Sequence, residues 1–250
     1  MKYIVAILII TTQLLAVVSI KPVEIGDKAG FSGGVELGLD TKRGNTYKDS
    51  YKASANLNYD NNVSYVTWFT ISGEYGEANE IEDTNKMYAH LRYIHKLSEE
   101  ILRYEVFLQA QDDKFRALNY RGVGGLGLRA KIFNTPIVGK GYFGLGALYE
   151  KIRYTDPSLD PNEDNTRLNS YLAYSLKFSK NSSLAYTLYY QPIIDDFDDY
   201  VMTNDLELIL EVYKKLNLKF SISYNRYSTP PNGVEEKYDL SQSTTFLYEF

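Results

Sequence analysis

The side chains that could form a catalytic site are poorly spaced. His90 and His95 are the only two histidines, and they are five residues apart, so a β-strand would point them to opposite faces, where they cannot share a metal ion. A serine nucleophile with His95 as its base would need a serine two residues later, but that residue is Leu97, and Ser98 falls in a predicted turn. The sequence therefore predicts a protein that is not an enzyme, with no metal and no cofactor.

Charged side chains recur at alternate positions of several segments, which would place them on one face of each strand. In an enclosed space, basic residues would then line one wall and acidic residues the opposite wall, and such charges can select among polar solutes. The alternative is that the charges pair and fill a narrow interior, helped by Glu105 and Glu150. The predicted lining residues are Glu36, Arg92, Arg103, Arg121, Arg129, Lys131, Arg167, Glu207 and Glu211.

Two glycine-containing motifs have features of phosphate-binding loops. Gly44-Asn45-Thr46 follows two basic residues, and backbone amides in such a turn can bind an anion, although turn geometry alone also explains these residue types. The second motif, YRGVGGLGL over residues 120–128, resembles a dinucleotide fingerprint only superficially, because no helix is predicted after it. Glycines within a strand indicate a bend or close packing in the wall of a barrel.

Acidic residues cluster in three predicted loops. Their carboxylates could share divalent cations such as calcium, or they could simply be solvated, and no spacing matches an EF-hand loop. Surface binding or adhesion through these loops is an alternative function. The clusters are Glu77, Glu80, Glu82 and Asp83; Asp156, Asp160, Glu163 and Asp164; and Asp195, Asp196, Asp198 and Asp199.

The elements that must position these groups are twelve segments that alternate between polar and apolar residues. Segments of about 9 to 14 residues with this period are typical of strands that cross an outer membrane at a tilt. The 24 tyrosines and 11 phenylalanines suit half-buried strands and membrane interfaces. The sequence therefore predicts an all-β fold, a single closed antiparallel transmembrane barrel over residues 30–250. The segments are roughly 30–40, 50–60, 64–75, 85–97, 102–113, 119–132, 141–154, 167–179, 183–193, 201–213, 216–227 and 238–250.

The links between the segments mostly alternate between long and short. Outer-membrane barrels have long loops outside and tight turns on the periplasmic side. GEANEIEDT is a predicted long link, DDFDD is of middling length, and FNTPIVGK is a long link where a short one is expected.

The two ends of the chain support the same location. Residues 1–19, with Lys2 followed by an apolar run, indicate a secretory signal peptide, with an uncleaved membrane anchor as the alternative, and residues 20–29 form a short N-terminal segment. The last strand must pair with the first to close the barrel. Its aromatic face, formed by Phe246, Tyr248 and Phe250, is similar to the C-terminal signal that the outer-membrane assembly machinery recognises.

Several of these motifs resemble the DUF481 family, also described as the salt-induced outer-membrane protein (YdiY-like) family. They are the Glu36-Leu37-Gly38 strand, the Gly44-Asn45-Thr46 turn and the glycine-rich strand over residues 120–128, and the resemblance extends from about residue 30 to the end. It implies an outer-membrane barrel and supplies no established activity, so no catalytic residues are carried over.

The sequence as a whole predicts a monomeric, porin-like protein of the Gram-negative bacterial outer membrane. Its expected partners are outer-membrane lipid, lipopolysaccharide and the barrel-assembly machinery, and its net charge of −5 argues against nucleic acid. The expected function is a narrow channel for small polar or charged solutes, or a closed structural barrel. A lipid-active hydrolase of the outer leaflet that uses His95 is the alternative from a different class.

Overall fold

The computed structural model describes most of the chain after the predicted signal peptide. Residues 1–19 and the Gly44-Asn45-Thr46 turn lie outside the described residues. Within the residues that the structure describes, no helix is long and apolar enough to cross a membrane. The structure describes residues 25–26, 28–42, 47–98, 101–116, 118–158, 160–179, 182–230, 232 and 236–250.

All twelve predicted segments are β-strands, and they form one closed antiparallel barrel in which every strand pairs with its neighbours in the chain and the first strand pairs with the last. A short 3-10 helix, Lys114–Arg116, lies between the fifth and sixth strands. The predicted fold class is therefore confirmed. The strands are β1 Gly30–Lys42, β2 Lys48–Asp60, β3 Tyr65–Ala78, β4 Ile81–Lys96, β5 Leu102–Asp113, β6 Leu118–Thr135, β7 Gly139–Tyr154, β8 Glu163–Lys177, β9 Ser183–Ile193, β10 Asp196–Tyr213, β11 Leu216–Tyr227 and β12 Tyr238–Glu249.

The alternation of side chains along each strand divides the barrel into an inner and an outer face. In β9, the odd-numbered residues from Ser183 to Gln191 are buried, and the even-numbered residues between them are not. The outer face carries large exposed apolar side chains such as Leu37, Leu126 and Leu145. Many of the buried residues are instead polar or charged. This distribution is the reverse of the one in soluble domains, because here the apolar surface faces outward.

The links lie at two ends of the barrel, which we call the terminal end, where β1 begins and β12 ends, and the loop end. At the loop end, GEANEIEDT is not a long loop: β3 and β4 extend to a two-residue turn at Asn79 and Glu80, whose positive φ angles of 50° and 64° suit a tight hairpin. DDFDD likewise belongs mostly to β10. The predicted loop lengths were wrong here because polar residues continue the strands.

The predicted irregular link at the terminal end is also short. FNTPIVGK is divided between the end of β6, a three-residue turn over 136–138, and the start of β7. All five links at the terminal end therefore contain at most five residues. The two longest links, over 155–162 and 228–237, both lie at the loop end.

The barrel closes through a short seam between β1 and β12. Four residue pairs join these strands, Gly34 through Leu37 with Phe246 through Glu249. Gly33 and Phe250 add two backbone hydrogen bonds, of 2.9 and 3.2 Å. The β1–β2 ladder, in contrast, contains thirteen pairs. Among the described residues of β1 and β12, the pairing is therefore confined to the terminal end.

The glycine-rich segment forms part of β6, and the next element is β7 rather than a helix. The inward-facing Gly125 lies under the ring of Phe107, and Gly144 on β7 lies under the ring of Tyr171. A β-carbon at either glycine would overlap the ring. These glycines therefore make room for large side chains inside the barrel, which agrees with the close-packing interpretation of the motif.

Candidate functional site: the barrel interior

Two parts of the interior differ in how they are filled. The inward faces of β4 to β9, here called the packed half, carry arginine and aromatic side chains that are almost completely buried. The inward faces of β10, β11, β12, β1, β2 and β3, here called the small-residue half, carry many small polar side chains that stay partly exposed. These are Ser54, Asn56, Asn58, Thr70, Ser72, Ser221, Ser223, Ser241 and Ser243.

One buried ion-pair network of the packed half is centred on Glu150, which is 1% exposed. Arg121 donates from Nε and Nη2 to one Glu150 oxygen at 2.9 and 2.7 Å. Arg167 donates from Nε to the other oxygen, and its Nη1 donates to Asp199 at 2.8 Å. One carboxylate therefore compensates two guanidinium groups, and Asp199 gives Arg167 a second acidic partner.

A second network crosses the interior at Glu105. Arg92 on β4 donates to the Glu105 carboxylate at 3.4 Å, and the Tyr171 hydroxyl on β8 donates to the same oxygen at 2.9 Å. The Arg92 guanidinium lies 4.9 Å from the centre of the Phe107 ring, and the rings of Tyr171 and Tyr189 are 5.1 Å apart. Since β5 and β8 are not neighbours in the sheet, these contacts reach across the barrel and close the packed half.

Arg103 and Arg129 form a third group. They are direct cross-strand partners on β5 and β6, and both are buried. The guanidinium of Arg129 lies 3.8 Å from the centre of the Tyr142 ring, and that of Arg103 lies 6.0 Å from it. The packed half therefore holds five buried arginines, including two that face each other directly.

In the small-residue half, the main charged group is Lys219, which the sequence analysis did not include among the lining residues. Its ammonium lies 3.2 Å from Glu36 and 2.8 Å from Glu207, and Thr245 donates a hydrogen bond of 2.7 Å to Glu36. The sequence feature that could have identified Lys219 as a lining residue is its position on the polar face of β11, on the same side of the strand as Asn217 and Ser221.

These pairings change the expected charge distribution. A lysine lies within the predicted acidic wall, and Glu105 and Glu150 lie within the predicted basic wall. Opposite charges are thus compensated largely within each wall rather than across the barrel. The geometry agrees with the second hypothesis of the sequence analysis, in which the charges pair and fill the interior. The agreement is most complete in the packed half.

The remaining predicted lining residues lie nearer the barrel ends. Lys131 is on the inner face of β6 and half-buried, two residues beyond Arg129 toward the terminal end. Glu211 has the inward register of β10, but it lies next to the β10–β11 turn and is exposed. A cavity of about 120 Å³ between the two halves is lined by residues that include Glu74 and Lys86, whose charged groups are 3.0 Å apart.

The histidines lie on opposite faces, as the spacing predicted. His90 is buried, and its Nδ1 lies 3.0 Å from both the Tyr88 hydroxyl and the Gln109 amide nitrogen. His95 is on the outer face, with its ring 5.3 Å from that of Tyr104. The Ser98 hydroxyl accepts backbone hydrogen bonds within its own turn, and no hydrogen bond joins it to His95 in the described chain. In the described residues, Ser98 is therefore not placed as the nucleophile of a hydrolase based on His95.

The acidic clusters contain ion pairs with basic side chains. Lys48 lies 2.7 Å from Asp83, and Arg153 lies 3.0 Å from Asp164. Glu82 pairs with Lys114. The residues that the structure describes contain no group of three or more acidic or histidine side chains arranged to hold a metal ion.

The C-terminal aromatic face points outward. Phe246, Tyr248 and Phe250 are 58%, 49% and 47% exposed, and the intervening Leu247 is buried inside. This orientation leaves the three rings accessible from outside the barrel, beside the closing seam. Recognition of these residues by an assembly machinery stays a prediction.

Several solved barrels are similar to this chain. The translocator domain of the autotransporter NalP from Neisseria meningitidis is 12% identical, with a TM-score of 0.47, and the match covers 90% of this chain and 89% of that one. The NanC porin is 13% identical, with a TM-score of 0.48 and coverage of 87% and 97%. The KdgM porin is 13% identical, with a TM-score of 0.42 and coverage of 88% and 96%.

A search of curated proteins finds no match to this chain. A family model described as "Protein of unknown function, DUF481" matches residues 35–250, which include eleven complete strands and most of β1. The resemblance found in the sequence motifs is thereby confirmed, and the chain belongs to the DUF481 family.

Proposed function

We propose that this protein is a barrel of the bacterial outer membrane that provides a narrow pathway for small polar or charged solutes, and that the pathway follows the small-residue half. The observation that carries the proposal is that several small inward side chains of the small-residue half stay partly exposed, although others in that half, such as Asn217 and Thr245, are buried. Inward serines such as Ser223, Ser241 and Ser243 remain at least partly exposed. Inward residues of the packed half, such as Thr187 and Tyr189, are 0% and 2% exposed.

The outer surface supports a membrane location. Many of its large exposed side chains are apolar, as a surface in contact with lipid requires. Near the terminal end, the rings of Phe31, Tyr59, Tyr65, Tyr93 and Tyr104 form a row with centre-to-centre distances of 4.9 to 6.0 Å between successive rings. Aromatic rows of this kind suit the boundary between lipid and water, where rings have an apolar body and a polar tip.

The absence of cysteine from the chain permits a direct test. Three single-cysteine variants, Ser243→Cys, Thr187→Cys and Thr244→Cys, probe the small-residue half, the packed half and the outer face. Each folded variant is placed in a planar lipid bilayer, and the current is recorded before and after addition of a charged, membrane-impermeant methanethiosulfonate reagent. We expect the reagent to reduce the current of Ser243→Cys and to leave the other two unchanged.

Two results would contradict the proposal. A correctly folded wild-type barrel with no measurable conductance would support the closed structural barrel instead. Modification of Thr187→Cys with a loss of current equal to that of Ser243→Cys would place the pathway in the wrong half. Heat-modifiable migration in gel electrophoresis checks that each variant is folded.

A further inference from the structure

The cavity of about 120 Å³ between the two halves lies on the inner faces of β2 to β5, toward the loop end. It has room for about four water molecules, so only a small solute fits in it. Two rows of inward side chains line it, and the strand registers place the members of each row side by side. The row nearer the loop end is charged and contains Lys52, Glu74, Lys86 and Asp113. The other row is neutral and contains Ser72, Tyr88 and Gln111.

Lys52 is the member of the charged row with open hydrogen-bonding capacity. Lys86 lies 3.0 Å from Glu74, so these two side chains compensate each other. Lys52 is directly opposite Glu74, but it forms no ion pair or hydrogen bond with any residue that the structure describes. Its charge acts on Glu36 and Asp205 at longer range. The N–H donors of Lys52 are therefore available to an occupant of the cavity.

Gln111, at the other end of the neutral row, is a buried amide in the same situation. It is 7% exposed, and its side chain forms no hydrogen bond within the described part of the chain. Its amide atoms are not among the completely shielded polar atoms of the interior, so they retain contact with the cavity. The Ser72 hydroxyl also has no partner among the described residues. Because buried polar groups are normally hydrogen-bonded, these groups favour a polar occupant.

The positions of these groups define the chemistry of the occupant. The Lys52 ammonium suits a carboxylate, with which it can form charge-assisted hydrogen bonds. Ser72 and Gln111 supply neutral donors and acceptors, which suit hydroxyl groups. Asp113 lies on the same face of β5 as Gln111, and its negative charge disfavours a second carboxylate at that end. A solute with one carboxylate and neutral hydroxyl groups therefore fits these surroundings better than a dicarboxylate.

We propose that this cavity is a binding site for a small hydroxylated monocarboxylate, such as glycerate. Lys52 binds the carboxylate, and Ser72 and Gln111 form hydrogen bonds with the hydroxyl groups. The inference deepens the proposed function and rests on it for access, because the β2 and β3 wall of the cavity belongs to the small-residue half. It adds the class of solute that the pathway would hold.

The first test uses three small solutes with carbon chains of equal length. Glycerate has a carboxylate and hydroxyl groups, propionate has only the carboxylate, and glycerol has only hydroxyl groups. Saturation-transfer NMR titrations with the wild-type barrel, folded in detergent, measure the affinity of each. We expect saturable binding of glycerate, about threefold weaker binding of propionate and about tenfold weaker binding of glycerol. Glycerate binding that does not saturate, or equal affinity for glycerate and glycerol, would overturn the proposal.

The decisive variant is Lys52→Met, and its matched control is Lys114→Met, which removes an exposed lysine of the loop end. We expect glycerate to bind about tenfold more weakly to Lys52→Met and with unchanged affinity to Lys114→Met. Gln111→Leu is an independent variant that should weaken the binding of glycerate but not that of propionate. Heat-modifiable migration checks that each variant is folded. Wild-type affinity for glycerate in Lys52→Met, or in Gln111→Leu, would contradict the assigned contacts.

The binding site and the proposed pathway can fail separately. A folded wild-type barrel that binds glycerate in detergent but does not conduct in a planar bilayer would support the site and contradict the pathway. A conducting barrel without saturable glycerate binding would overturn the site alone.

Discussion

The two halves of the barrel interior carry charges of both signs but differ in how far those charges are exposed to water. In the packed half, Arg92 and Glu105 have side chains that are 2% and 1% exposed, and aromatic rings exclude water from them. In the small-residue half, Lys219 and Glu207 are 15% and 17% exposed, and serines surround them. Charge does not by itself indicate an open lumen. The size of the neighbouring side chains determines whether charged groups are sealed or solvated.

The largest difference in the free energy of unfolding is expected when one carboxylate in each half is replaced by a neutral amide. Glu150→Gln should destabilise the barrel by about 3 to 5 kcal/mol, because it leaves the buried Arg121 and Arg167 without their shared carboxylate. Glu207→Gln should cost less than about 1 kcal/mol, since Lys219 keeps Glu36 as a partner and is accessible to water. Urea unfolding in lipid vesicles measures both values. Similar values for the two variants would remove the distinction between sealed and solvated charges.

A smaller difference in the free energy of unfolding is expected between two glycine substitutions. Gly144→Ala should destabilise the barrel by about 1 to 3 kcal/mol, because the added methyl group overlaps the Tyr171 ring and overpacks the interior. Gly73→Ala, on the outer face of β3, should change stability by less than about 1 kcal/mol, since the nearest atom to the new carbon would be the Lys86 carbonyl oxygen at 3.8 Å. The same unfolding measurement compares them, and a larger loss in Gly73→Ala would contradict the assignment of the packed half.

The last variant, Lys219→Gln, tests ion selectivity more directly than stability. Loss of the lysine should cost about 1 to 3 kcal/mol, because it removes one partner of the buried Glu36 carboxylate, whereas Glu207 is partly solvated. Its effect on conduction should be clearer: two carboxylates without their cation should shift selectivity toward cations. Reversal potentials in a salt gradient measure this shift, and Lys114→Gln, which removes an exposed lysine at the loop end, is the control. A shift toward anions, or an equal shift in the control, would place Lys219 outside the pathway.

The sequence predicted the strands and the direction of their side chains because both depend on a period of two residues. Arg92, Arg121 and Glu36 accordingly face inward, where the alternation placed them. The lengths of the links were less predictable. The residues around Asn79 are polar, but they alternate within two strands that continue to a tight turn.

The packing of the interior could not be predicted from the period. The hydrogen bond from Tyr171 to Glu105 joins residues 66 positions apart on strands that are not neighbours, so it depends on the curvature of the closed wall. Gly144 and Tyr171 likewise become cross-strand partners only in one register of β7 and β8. Lys219 was missed for a simpler reason: the alternation of β11 marks a polar face and does not single out the lysine among its neutral neighbours Asn217 and Ser221.

The short seam between β1 and β12 has a mechanical consequence. Four residue pairs join these strands, all of them near the terminal end, whereas thirteen pairs join β1 to β2. Each antiparallel pair resists separation of the strands, so a sideways load on the wall is carried by fewer bonds at this seam than at the β1–β2 ladder. Under lateral tension, β1 and β12 should therefore separate before any strand pair with a longer ladder, and the separation should start from the loop end.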